Sequence, residues 1–322
     1  MSMRYGGGVI SPTQTGFPTS TIEYLVVAGG GSGGPSNKKT FAGNGGGAGG
    51  FLTNTGYIVS PGTTYIITVG AGGVSQAGSG SIATTSAGAN SSFGIGSVVT
   101  TAATSGTITA IGGGAGWSAC ATLNGTYTGG SGGGGGCSSG YAGTACQGHA
   151  GGYGRPGFNG NGGGGAGSVG KNSLSNQMAG DGGTGILSTI TGFPQIYAAG
   201  GGGAAGSTYG GTQGYGGSNS AGTASNSTIG SGKFPGNFAG YTPQQQISAT
   251  PGTGSGGAGL TSNNCNTGCF PYYSGGSGAS GIVVIRYPSY LADASSTTGN
   301  PSAYISGPYR VYVWLNSGSI TF

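Results

Sequence analysis

Side chains that could do chemistry are scarce in this chain of 322 residues. It has three carboxylates (Glu23, Asp181 and Asp293), one histidine (His149), eight Lys and Arg, and five cysteines. Paired-carboxylate hydrolysis, acid–base relays and carboxylate cages each need several such groups close together. A Ser–His–Asp arrangement would have to use His149 and Asp181, and no sequence signature supports one. The cysteines are Cys120, Cys137, Cys146, Cys265 and Cys269. Cys146-x-x-His149 with Cys137 upstream is a fragment of a zinc pattern, but the paired C-x-x-C spacings of zinc modules are missing. Loop staples Cys137–Cys146 and Cys265–Cys269, with Cys120 left over, are one alternative in an oxidising exterior. Free buried thiols are the other. The expectation is a non-enzymatic protein with no metal and no cofactor.

Two glycine motifs dissolve on inspection. Gly29 to Gly34 fits G-x-G-x-x-G after a β-rich run, but Pro35-Ser36-Asn37-Lys38-Lys39 does not open a helix. No acid follows between Glu23 and Asp181. A dinucleotide site needs both. Gly165 to Lys171 fits G-x-x-x-x-G-K, yet Asn172 replaces the magnesium-binding hydroxyl. Asn90, Asn124 and Asn226 begin N-x-[ST] sequons, which matter only in a chain secreted by a eukaryote.

Composition narrows the class further. The net charge of +5 is dispersed, with Lys38-Lys39 the sole adjacent basic pair, so no concentrated patch for nucleic acid is expected. No apolar run reaches 18 residues, so no membrane insertion is expected. The stretch MSMRYGGGVISPTQ lacks the apolar core of a secretory signal. Glycine supplies 85 residues and proline 13, while 34 % of the chain is hydrophobic and 9 % aromatic. Disordered chains stay open through high charge and low hydropathy. This one should collapse or assemble.

The elements that would position any site are β-strands. Ile22 to Ala28 is apolar almost throughout, which predicts a strand covered on both faces. Phe51-Leu52, Tyr57 to Val59 and Thr64 to Val69 follow, with Ser60-Pro61-Gly62 read as a hairpin turn. Tyr65, Ile67 and Val69 share one face of their strand; Thr64, Ile66 and Thr68 share the other. Further strands are expected over 96–101, 107–111, 186–190, 196–199 and 281–287. A terminal hairpin of 309–315 and 319–322 is expected around Asn316-Ser317-Gly318, after a loop over 293–301. No segment carries helical periodicity, and glycine costs a helix about 1 kcal/mol per position relative to alanine.

Residues 112–280 are mostly glycine-rich, punctuated by Tyr141, Tyr153, Tyr209, Tyr215, Tyr241, Tyr272 and Tyr273. An uncharged loop of this length inside a compact protein is improbable. Collagen fails, because GGSGGGGG at 129–136 fills all three frames. The ordered alternative is a bundle of extended threefold helices, the polyglycine relative of polyproline II. An eight-residue run would span about 25 Å, and only glycine lets such backbones approach from every side. Irregular glycine-rich loops on a β core are the competing reading. An ice-binding bundle would want one flat face of regular small residues, which the irregular frames do not offer.

Several stretches carry a resemblance: IEYLVVAGGG at 22–31, GNGGGAGGF at 43–51, SPGTTYIITVGAGG at 60–73 and SGIVVIRYP at 280–288. They resemble the glycine-rich domain of bacteriophage tail-fibre and adhesin proteins. TTGNPSAYISGPYRVYVWLNSGSITF at 297–322 is similar to the C-terminal β segment that often follows it. The resemblance implies a virion protein, made in the host cytoplasm and extracellular when it functions. It also implies attachment to other tail proteins and contact with a host-surface glycan or envelope protein. Trp117 and the seven tyrosines are the candidate receptor contacts. A homotrimer is expected. A purely structural virion role without receptor contact is the alternative.

The expected architecture is therefore all-β. A leader spans 1–20, and a glycine-rich β domain spans 21–288 with its polyglycine-type insertion at about 112–280. A C-terminal β-hairpin segment spans 289–322. The scaffold is a β-sandwich built from both ends of the chain.

Overall fold

The strand Thr21–Val27 (β1) shows why its sequence is apolar on both sides. Tyr24 and Val26 enter one core, while Leu25 and Val27 enter another on the opposite face. The computed structural model describes residues 20–35, 42–76, 84–117, 126–136, 140–154, 159–174, 178–205, 214–217, 248–260 and 275–322. Among the described residues there is no helix.

The strands after β1 are Phe51–Ile58 (β2), Thr64–Thr68 (β3), Ser75–Gln76 (β4), Thr84–Thr85 (β5), Ser91–Gly94 (β6), Val98–Val99 (β7) and Thr107–Ala110 (β8). Then come Ile186–Ser188 (β9), Gln195–Tyr197 (β10), Ile282–Pro288 (β11), Ser296–Thr298 (β12), Ser302–Ser306 (β13), Tyr309–Trp314 (β14) and Gly318–Thr321 (β15). One sheet has the order β13-β14-β11-β1-β2, and the second β12-β15-β3-β6-β8-β7. Both ends of the chain thus build the scaffold: β1 lies between β2 and β11, and β15 lies between β12 and β3.

Both expected hairpins are corners instead. The Pro61-Gly62 turn carries the chain from β2 in one sheet to β3 in the other, and the 315–317 turn carries it from β14 to β15 across the same gap. The reason is burial. Tyr57 and Tyr65 must both face the space between the sheets, where their rings meet edge-on at 6.1 Å. Trp314 and Ile320 are likewise fully buried there. A hairpin would place each pair side by side in one sheet and leave the opposite sheet without a lining. Other boundaries shift. The strand expected over 96–101 shrinks to β7, β12 lies in the expected 293–301 loop, and β6 and β13 join the expected set. The alternation in β3 holds, with Tyr65 and Ile67 buried and Thr64, Ile66 and Thr68 exposed.

Beyond β1 the hydrogen bonds change period. The N–H groups of Ala28, Gly31 and Gly34 donate to Gly50, Gly47 and Asn44. Those of Gly29 and Ser32 donate to Ala89 and Ser86, and those of Gly30 and Gly33 to Ala279 and Gly276. Successive donors turn to three neighbours and return to the first at every third residue. A β-strand would alternate with period two; period three belongs to the threefold extended helix. The carbonyls point elsewhere: Gly29 and Ser32 accept from Gly113 and Gly116, Gly30 from Gly73, and Gly31 and Gly34 from Gly257 and Leu260. Segment 28–34 therefore has six hydrogen-bonded neighbours at N···O distances of 2.7–3.1 Å. Segment 43–50 repeats the pattern, donating in turn to 254–260, 111–117 and 161–164.

The bundle is larger than the expected insertion. It starts at Ala28 and takes in 28–35, 42–50, 70–74 and 86–90 as well as the later tracts. Of these, 28–34 and 43–50 are enclosed on all sides, whereas 70–74 and 86–90 lie at its surface, where Ala71, Val74, Ser86 and Ala89 are exposed. Its base packs on the outer face of the five-stranded sheet, where Ala48, Ala166 and Ala198 meet Leu25, Val27, Val284 and Val311.

Candidate functional site

The bundle has two unlike ends. Ala28 and Gly50 are bonded where β1 and β2 join it, so that end is the sandwich end. Gly34 and Asn44 are bonded at the other. From Asn44 the far-end rung continues through Trp117 to Gly134, and from Gly43 through Ala204 to Gly160. Leu260 bonds to both Gly34 and Gly43, and Gly135 to Gly152. The described residues flanking 36–41, 118–125, 137–139, 155–158, 175–177, 206–213 and 261–274 all lie at or beside this rung. Ser20 and Phe322 lie at the opposite extreme: Val59 N–H donates to Ser20 and Gly62 N–H to Phe322, at the outer corner of the sandwich.

Of the candidate contact residues, Trp117 is half-buried on the far-end rung. Its carbonyl accepts from Asn44 Nδ2 as well as from the Asn44 N–H. A Cβ on Gly136 would collide with its ring. Tyr141 is half-buried and stacks on Tyr127, centroids 4.7 Å apart. Burial pushes the Tyr127 hydroxyl up to about 12, and the neighbouring Tyr141 adds to the shift. Tyr153 is 60 % exposed and Tyr215 54 %. Tyr209, Tyr241, Tyr272 and Tyr273 lie outside the described residues, as do Cys120, Cys137, Cys265 and Cys269. Cys146 is an exposed free thiol.

A model of the glycine-rich domain matches residues 10–288. The chain belongs to the glycine-rich domain family. Neither the curated proteins nor the solved structures hold a match to it. The matched region of the glycine-rich domain ends with β11, and β12 to β15 then complete both sheets.

The three carboxylates have separate partners. Arg286 Nε donates to Glu23 at 2.7 Å, and its guanidinium lies over the Tyr309 ring. Arg310 pairs with Asp293, and Lys171 Nζ with Asp181 at 2.9 Å. The first two pairs belong to the sandwich; the third belongs to the bundle. His149 is exposed, and its carbonyl accepts from Gly132. Among the described residues no cluster of three His, Cys, Asp or Glu side chains could hold a metal.

Sequence reasoning did not single out Tyr127, and met Lys171, Asn172 and Asp181 only in a phosphate motif and a triad that it set aside. Asp181 and Lys171 had a signal available: each is a rare charge inside a glycine tract. Tyr127 had none, because its stacking on Tyr141 depends on how the intervening 129–136 run is packed.

Proposed function

We propose that this chain is a non-enzymatic bacteriophage virion protein, a tail-fibre subunit or fibre-tip adhesin that binds a host cell-surface receptor. The observation that carries the reading is polarity. Ser20 and Phe322 lie at one extreme, and seven connections of the bundle begin and end at the other. The lattice of backbone hydrogen bonds gives that far end a stiff support. Binding residues carried on loops over a rigid scaffold are a general solution to recognition. The sequence resemblance adds the tail-fibre context. The ion pairs of Glu23 and Asp293 tie two of the three carboxylates to arginines of the sandwich, in keeping with a binding role. In this reading the protein works as a homotrimer on the virion.

The test is binding of fluorescently labelled protein to susceptible cells and to receptor-deficient mutants of the same strain. Saturable binding to the first and its loss on the second is expected. Equal binding to both, or none to either, would leave a structural virion role in its place.

A further inference from the structure

Beside the far end, four surface segments of the bundle lie next to one another, the first two also bridged from beneath by the buried Gly162. Gly152 N–H donates to Gly162, Gly162 to Lys171, Lys171 to Asp181, and Gly182 to Tyr215. Gly170 N–H also donates to Ala150, so 170–172 runs directly beside 150–153. Side chains tie the same four segments together from the outside. Asn172 Oδ1 accepts from the Tyr153 N–H at 2.9 Å. Asp181 Oδ1 accepts from the Tyr215 N–H at 2.8 Å, while its Oδ2 takes Lys171 Nζ. The result is one strip, Tyr153–Asn172–Lys171–Asp181–Tyr215, with an exposed tyrosine at each end and amide, ammonium and carboxylate between.

We infer that this strip is a binding site for a neutral oligosaccharide. The inference rests on the adhesin reading and deepens it by naming the receptor chemistry. Stability does not account for the ion pair. Lys171 is 70 % exposed, and such pairs are worth about 0–1 kcal/mol. Yet one of only three carboxylates in the chain is placed here. Hydrogen-bonded backbones are about 4.8 Å apart, so the strip is roughly 15 Å from end to end. A short saccharide fits that length. Tyrosine offers an apolar face to sugar C–H groups and a hydroxyl at its rim. Asp181 accepts from sugar hydroxyls, Lys171 donates to them, and Asn172 does both. The two charges cancel within their pair, so the strip selects for no ligand charge. Asn172 and Asp181 are already anchored on backbone N–H groups, so little ordering is left for binding to cost.

The experiment has two arms. In the first, full-length protein is titrated by saturation-transfer NMR with trisaccharides of glucose, galactose, mannose and N-acetylglucosamine. Wild type should bind at least one. Tyr153→Ala, Tyr215→Ala and Asp181→Asn should each bind it about tenfold more weakly, and Tyr290→Ala, exposed on the sandwich, should bind it as wild type does. Asp181→Asn keeps an acceptor for the Tyr215 N–H, and circular dichroism checks that each variant is folded. In the second arm the same proteins are applied to susceptible cells. The inference is overturned if no trisaccharide binds, if the strip variants bind it as well as wild type, or if they coat cells as well as wild type. Trisaccharide binding that depends on the strip, with no cell binding by wild type, would instead sink the adhesin reading and leave the site standing.

Discussion

At Gly31 a Cβ would fall on the carbonyl oxygen of Gly114, far inside contact distance, and that oxygen is held by its own hydrogen bond from Gly47. Neither backbone can yield without breaking a rung. Gly31→Ala should therefore cost about 3 kcal/mol or more, at or beyond the upper end of overpacking penalties. Gly56 is the contrasting case. Its φ is +73° and a Cβ there meets nothing, so Gly56→Ala should cost only about 1–2 kcal/mol of left-handed strain. Urea unfolding of the two variants checks the order. Tyrosines give a second test. Burial raises Tyr57 and Tyr197 to about 12; burial raises Tyr287 too, and its hydrogen bond to Tyr312 adds to the shift. An acid whose folded value is raised stabilises the fold fully below its unfolded value, near 10. Above that pH the unfolded chain binds fewer protons, so stability falls. Thermal midpoints should hold to about pH 10 and drop between there and about 12. Tyrosinate absorbance should lag behind that of free tyrosine until unfolding.

Strands in this protein are assigned to sheets by which side chains must meet. Trp314 is fully buried, stacks on Tyr312 at 5.9 Å, and donates from Nε1 to Thr298 in the opposite sheet at 2.9 Å. Leu315, the next residue, is 54 % exposed at the corner. Trp314→Ala should cost about 3–5 kcal/mol, the range for deleting a buried aromatic. Leu315→Ala should stay within about 0.5 kcal/mol, as surface changes do. Denaturant midpoints measure both. Similar costs at the two positions would mean that the chain does not change sheets there. The Arg286–Glu23 pair works at the same scale: it couples β11 to β1 at their cross-strand position, while Arg286 also donates to Thr189 beyond the sheet.

For the molecule as a whole, the bundle has no hydrophobic side-chain cluster of its own among the described residues. Its order comes from main chains that pair on all sides, so its stability should show in amide exchange. Amides of 29–33 and 45–49, enclosed by six neighbours, should exchange only when the whole protein unfolds. Those of β7, a two-residue strand at a sheet edge, should exchange far faster. Hydrogen-exchange mass spectrometry resolves these regions. Exchange over 29–33 at the rate of a denatured peptide would remove the rigid support on which the adhesin reading depends. The polarity of the molecule follows from the same lattice. The segments that leave β1 and lead into β2 run side by side from the Ala28–Gly50 rung at the sandwich to the Gly34–Asn44 rung at the far end.

Much of this was legible in residue order. The two-sided burial of β1 follows from its unbroken apolarity, and the inward set of β3 follows from alternation. The need for an ordered glycine solid follows from a chain too poor in charge to stay solvated. The sheet that each strand joins was not legible, because Tyr57, Tyr65, Trp314 and Ile320 read identically in a hairpin and in a corner. Nor were the bundle's neighbours, since glycine has no side chain with which to specify a register. The strip from Tyr153 to Tyr215 likewise exists only in the folded chain. Its five residues are spread over more than sixty positions, and what brings them together is backbone hydrogen bonding, which any glycine tract could offer and only the packed lattice selects.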